Sequence, residues 1–325
     1  MATLLSSAAP AGAASAGQAD GRIGIRLIEA PVSRRDDPRA LAYIVDHLNP
    51  GMVIERRFEV INKSRSARRV DLYAGGADIV DGTFTVARDR EANELSDWMS
   101  LDRDVLQVPA WGRAQAEVRV KVPPAASRGE RYAVVWAQTA EEPGGSRTIR
   151  TVSRVGIRVY LDVGPGGEPP SDFAVDRLTP ERAPDGAPRL VADVRNTGER
   201  ALDISGSLSL SDGPGGLRAG PFPVQQGVTM SPGSVAAVTV TLDRRVPAGP
   251  WDVSLTLRSG KLERTATATV TFPGRGRGRS VIPFSSVLSR YGMLGGLVAV
   301  PLALGVVAVV RRRRAARGPA EPDGR

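Results

Sequence analysis

In Ala116-Glu117-Val118-Arg119-Val120-Lys121-Val122 every second residue is apolar and the residues between them are charged. Side chains on a strand alternate between faces, so this pattern buries one face and wets the other, as in an antiparallel sheet packed on a second sheet. The same alternation runs through Met52, Ile54, Phe58 and Val60, and through Ile149, Val155, Ile157, Val159 and Leu161. Ala87 to Trp98 is the exception, polar enough for a surface helix or a long loop.

Outward from there, Gly164-Pro165-Gly166-Gly167-Glu168-Pro169-Pro170 can sustain neither a ladder nor a helix and reads as a linker over 164–171. Alternation resumes beyond it, from Leu190, Ala192 and Val194 to Ala266, Ala268, Val270 and Phe272. Each body offers about seven short strands. The expected fold is mainly β, with two immunoglobulin-like β-sandwich domains in tandem over 20–163 and 172–273. The bodies repeat one plan: Asn62-Lys63-Ser64 ends a strand in the first and Asn196-Thr197-Gly198 in the second. Asn suits such a turn because its side chain caps the backbone, so Asn62-Lys63-Ser64 reads as a turn and not as a glycosylation site.

The chain has 325 residues, no cysteine and one histidine, His47. Disulfides and cysteine-based metal sites are thereby excluded. The formal net charge of +9 is concentrated beyond residue 273, which leaves 1–273 nearly neutral and gives no basis for a nucleic-acid-binding face.

Tyr291 to Val310 carries no charge and is followed at once by Arg311, Arg312, Arg313 and Arg314. A helix of that length covers about 30 Å, the thickness of the hydrocarbon layer. The segment reads as one transmembrane helix over 291–310 and the arginines as the topology signal, with 311–325 a basic cytoplasmic tail. Residues 1–19, which include Ala14-Ser15-Ala16, read as a clipped signal peptide or a disordered start. Gly274-Arg275-Gly276-Arg277-Gly278-Arg279 opens a juxtamembrane spacer over 274–290 whose arginines meet lipid headgroups. The expected location is the cell membrane, single-pass, with both sandwiches outside.

The order of pieces supports a resemblance. Tyr43, Asn49-Pro50-Gly51, the strand from Ile54 to Ser64, Ala74-Gly75-Gly76-Ala77-Asp78, Asp81-Gly82-Thr83-Phe84, Trp98, Val122-Pro123 and Gly129 precede a second β body, one apolar span and a basic tail. This layout resembles the WxL-interacting protein family of Gram-positive bacteria. The resemblance implies a peptidoglycan-binding first domain and a partner-binding second domain. The match departs at Tyr43-Ile44-Val45-Asp46-His47-Leu48, and the second body matches in layout only.

Chemistry-bearing residues are few. His47 has no Gly-x-Ser-x-Gly partner for nucleophilic catalysis and no second imidazole for zinc. Asp102-Arg103-Asp104 resembles a metal-binding triplet but lacks a nucleotide fold, and reads as a cap at a strand start. Asp36-Asp37, beside Arg34, Arg35 and Arg39, reads as a solvated charged loop. Trp98 and Trp111 lie outside the clear strands; they either stack on sugar faces or cover the open end of the core. Trp136 and Trp251 sit in strands and read as core. The sequence thus points to a non-enzymatic cell-surface protein with no cofactor. Its expected partners are the lipid bilayer, peptidoglycan or another wall glycan through 20–163, and a surface protein through 172–273. The alternative is an accessory subunit of a membrane secretion or surface-assembly complex, with edge strands pairing with a client.

Overall fold

The computed structural model describes residues 23–141, 151–225 and 227–286. The signal-like start, the apolar stretch 291–310 and Arg311, Arg312, Arg313 and Arg314 lie outside these residues. Among the described residues no helix is long and apolar enough to cross a membrane.

The first domain contains β1 (Ile23–Leu27), α1 (Pro38–Ala42), β2 (Ile44–Leu48), β3 (Val53–Asn62), β4 (Arg68–Val80), β5 (Thr83–Val86), α2 (Glu94–Asp97), β6 (Met99–Leu101), β7 (Val105–Val108), β8 (Arg113–Lys121), β9 (Gly129–Glu141) and β10 (Thr151–Val163). One sheet runs β1-β3-β8-β6; the other runs β2-β10-β9-β4-β5, with β7 also on β4. The two sheets face each other across a core that includes Phe58, Val60, Ala116, Val118 and Val120 from the first and Leu72, Val135, Ile157 and Val159 from the second. The alternation in β8 thus performs the role its sequence implies.

The second domain contains β11 (Phe173–Arg182), β12 (Pro188–Asn196), β13 (Leu202–Asp203), β14 (Ser205–Gly213), β15 (Leu217–Pro223), β16 (Thr229–Met230), β17 (Val235–Thr241), β18 (Gly249–Ser259), β19 (Leu262–Phe272), β20 (Gly276–Arg277) and β21 (Phe284–Ser286). Its main sheets are β17-β12-β11-β20 and β15-β14-β18-β19-β21. Trp251, 1% exposed, sits in their shared core as expected. Gly213 lies against it: a Cβ there would come within 2.3 Å of the indole.

The repeat seen in sequence is a repeat of hydrogen bonding. Asn62, buried at the end of β3, donates through Nδ2 to the carbonyls of Ser66, Val108 and Pro109 and accepts from the Ser64 amide. Asn196, buried at the end of β12, donates to the carbonyls of Arg200, Met230 and Ser231 and accepts from the Gly198 amide. Each carboxamide therefore ties its own turn to the approach of a later strand, adding to the hydrogen bonding of buried backbone groups.

Two expectations about segments outside the main strands change. Residues 276–286 lie in the stretch read as a spacer, yet they bond along the side of the second sandwich. Gly276 and Arg277 pair with Arg182 and Glu181 of β11, Val281 bridges Leu178, and Phe284 to Ser286 pair with Thr267 to Thr265 of β19. Gly/Arg composition conceals this because the ladder uses backbone groups, and one apolar side chain, Val281, anchors it to the core. Asp37, read as part of a solvated loop, is buried and caps α1 by accepting from the Arg39 amide at 3.0 Å.

Candidate functional site

The two loop tryptophans do not share a site. Trp98 follows α2, whose start is closed by a capping box between Asn93 and Ser96. Its carbonyl accepts from the amide of Lys121, at the last residue of β8. The ring is half-buried against the core, and the Arg131 guanidinium lies 4.9 Å above it, held by Glu94. Trp111 is 68% exposed in the turn before Arg113, at the other end of β8. Nine residues of strand separate the two positions, about 26 Å at 3.3 Å per residue. Trp98 covers the core; Trp111 does not.

Trp136 departs from its expected place in the core between the sheets. Ala133, Val135 and Ala137 fill that core, and the strand period sends Trp136, with Tyr132 and Val134, to the opposite face. This sheet is covered on both faces over part of its area, which the strand-by-strand parity does not reveal. Trp136 pairs directly with Tyr73 on β4 and with Gly156 on β10, so all three share the outer face. The indole lies where the flanking strands carry glycine. A Cβ at Gly156 would stand 2.8 Å from the Trp136 ring and one at Gly75 would stand 3.1 Å from its Nε1. Arg154 stacks at 4.6 Å over Trp136 and Arg90 at 4.1 Å over Tyr73. The Tyr73 hydroxyl donates to Gln138 Oε1 at 2.9 Å. The result is a half-exposed aromatic patch edged by guanidinium and carboxamide groups. Aromatic faces take apolar C–H surfaces, and planar polar groups take hydroxyls or carboxylates. The signal in sequence was the phase of Trp136 against Ala133, Val135 and Ala137, together with glycines placed at Gly75 and Gly156.

Next to the patch, the domains meet in a polar seam. Arg200 of the second domain donates from Nε to Glu130 Oε1 at 3.0 Å, and the Ala201 amide donates to Glu130 Oε2 at 2.6 Å. Arg200 also holds Glu168 of the linker. Asp203 receives Arg39 Nε at 2.6 Å, Arg158 Nη1 at 3.1 Å and the Tyr160 hydroxyl at 2.8 Å. Burial, the largest single influence on Arg39, opposes its charge, but Asp203, Tyr160 and Glu130 together outweigh it and raise the guanidinium pKa. Burial, reinforced by Asp203, pushes the Tyr160 phenol well above its ordinary range; burial and Glu130 do the same to Tyr132. These groups hold the domains together, and each acceptor is taken.

The remaining candidates are structural. His47 Nδ1 lies 2.6 Å from Asp162 Oδ2 and its Nε2 lies 3.1 Å from the Gly166 carbonyl, which ties β2 to the linker. Asp102, just past the end of β6, accepts from the Glu117 amide in the middle of β8 and pairs with Arg103, so it continues the β6–β8 edge and does not cap a strand start. Among the described residues no cluster of three or more metal-ligating side chains occurs.

No protein-family model and no curated protein sequence matches the chain. Solved structures similar to it include the YadV chaperone, at 11% identity and a TM-score of 0.39 over 76% of this chain and 99% of that one. The DraB chaperone of E. coli gives 12% identity and 0.37 over 76% and 95%. The CupB2 chaperone of Pseudomonas aeruginosa gives 15% and 0.35 over 71% and 97%.

Proposed function

We propose that the chain is a non-enzymatic, membrane-anchored cell-surface protein whose first domain binds a wall polymer, peptidoglycan being the first ligand to test. The observation that supports this reading is the outer-face patch of Tyr73 and Trp136, edged by Arg90, Gln138 and Arg154. It has the ring faces and planar donors that a polysaccharide carrying acidic groups requires. Detergent-solubilised full-length protein is to be sedimented with insoluble peptidoglycan at low and high salt. Binding should persist in high salt, fall at least tenfold in Trp136→Ala and in the exposed variant Arg154→Ala, and be unchanged in Trp111→Ala. Loss in Trp111→Ala alone would move the ligand to the loop end, and no binding in any form would sink the wall reading.

A second reading, an accessory subunit of a surface-assembly complex, has its own support. The Asn196 amide donates to the Ser234 carbonyl, so alternate residues of β17, Val235 and Ala237, turn their backbone groups away from β12. They face a groove of about 510 Å³ walled by Asp81, Gly82 and Thr83 of the β4–β5 turn. An extended segment of a partner protein fits there by strand addition. A photo-crosslinker at exposed Val235 should capture one protein in cells, and Ala237→Pro, which removes an outward amide only, should abolish the adduct. An adduct indifferent to Ala237→Pro would rule out strand pairing.

A further inference from the structure

The path of residues 275–286 determines how the second domain meets a bilayer, given the membrane-anchored reading above. This ribbon closes one side of the sandwich, first along β11 and then along β19. Its last described pair is Ser286 with Thr265. The apolar run begins at Tyr291, five residue steps on. Five steps span at most about 18 Å. The side of the sandwich at β21 therefore cannot stand far from a bilayer that holds residues 291–310.

That side is built for the contact. Arg275, Arg277 and Arg279 are exposed along the ribbon, and Ile282 and Phe284 follow, each 83% exposed. These two are the most exposed large apolar side chains among the described residues. A row of arginines leading into an apolar pair matches anionic headgroups followed by the upper acyl region.

The exit point also sets the tilt. The chain leaves beside Thr265, four residues from Lys261, and Lys261 pairs with Asp36 of the first domain. Along a strand that is about 13 Å. The attachment is thus next to the junction between the domains and not at the far pole of the second. We infer that the molecule lies side-on against an anionic phospholipid surface, with Ile282 and Phe284 in the interface and both sandwiches near the membrane.

The native chain has no cysteine, so Thr267→Cys, beside Phe284, carries a single nitroxide label. Full-length protein is reconstituted in vesicles of equal parts phosphatidylglycerol and phosphatidylcholine, with Lys63→Cys as the distant control. Flotation with the vesicles reports the anchor; collision with a water-soluble nickel chelate reports the side-on contact. The label at 267 should be shielded severalfold relative to that at 63. The double variant Ile282→Asp/Phe284→Asp should restore its access without releasing the protein, and shielding should weaken in pure phosphatidylcholine. Equal access at 267 and 63 in floating protein overturns the side-on contact and leaves the anchor standing. Failure to float overturns the anchor, and the side-on contact with it. Equal shielding in both lipids removes the role of the arginines.

Discussion

Arg200 Nε and Glu130 Oε1 meet at 3.0 Å across the seam, with the two side chains 1% and 2% exposed. One belongs to the second sandwich and the other to β9 of the first, so the pair exists only when the domains are docked. A buried charge left without its partner is strongly unfavourable, typically by about 3–5 kcal/mol. Arg200→Ala and Glu130→Gln should each lower stability by roughly that amount. Arg200→Met combined with Glu130→Leu should recover part of the loss, because no lone charge remains buried. Urea denaturation of the set checks this, and additive losses in the double variant would contradict it.

Tyr132 and Tyr160 predict alkaline lability. Burial first, then a nearby carboxylate in each case, raises both phenols above the ordinary value of 10.0. The folded state therefore holds two protons that the unfolded chain releases near that pH. Their contribution to stability is complete below pH 10 and is lost as pH rises further. Absorbance at the phenolate band should show these two tyrosines ionising only with unfolding. Tyr132→Phe/Tyr160→Phe should move the alkaline midpoint upward; a smooth titration before unfolding would refute the assignment.

The paired asparagines give a comparison internal to the molecule. Asn196→Ala removes the Nδ2 donor shared by the Arg200, Met230 and Ser231 carbonyls and one acceptor of the Gly198 amide, which keeps the Asp172 carbonyl, while Ser231 keeps Ser234. Each buried group abandoned in this way costs about 1–3 kcal/mol before water re-enters. A net loss of at least about 2 kcal/mol is expected for Asn196→Ala, and a similar loss for Asn62→Ala. Thermal melts of both variants test the equivalence, and a negligible shift in either would show that its turn is held by other bonds.

Trp251 and Trp136 should now behave differently. Trp251→Ala opens a cavity in a closed core and should cost about 3–5 kcal/mol. Gly213→Ala forces a methyl against the Trp251 indole and should cost about 1–3 kcal/mol through overpacking. Trp136→Ala, on a half-exposed face, should cost less than Trp251→Ala. Denaturant melts rank the three, and equal losses for the two tryptophans would return Trp136 to the core.

Period-two alternation in β8 and Trp251 in β18 were legible because one face of each strand meets a single core. The turn roles of Asn62 and Asn196 were legible because both end an apolar run in the same way. Trp136 was not, since parity assigns a face to a residue without saying that both faces of the sheet are covered. Asp37 escaped for a related reason: it reads as one of several charges until Gly260, at the tip of the β18–β19 hairpin, is brought against it. The ribbon 276–286 was hidden because a strand that pairs through its backbone leaves little trace in side-chain pattern.

That ribbon also sets how the protein answers a pull. Tension on the chain beyond Ser286 acts on the pair with Thr265 first, then on Ser285 with Ala266, then on Phe284 with Thr267. A pull directed away from β19 parts these pairs in succession, as a zipper opens. Peeling of three residues lengthens the leash while leaving β19 bonded to β18 along its whole length. In the membrane-anchored reading proposed above, the attachment thus meets a three-residue strand before it meets either core.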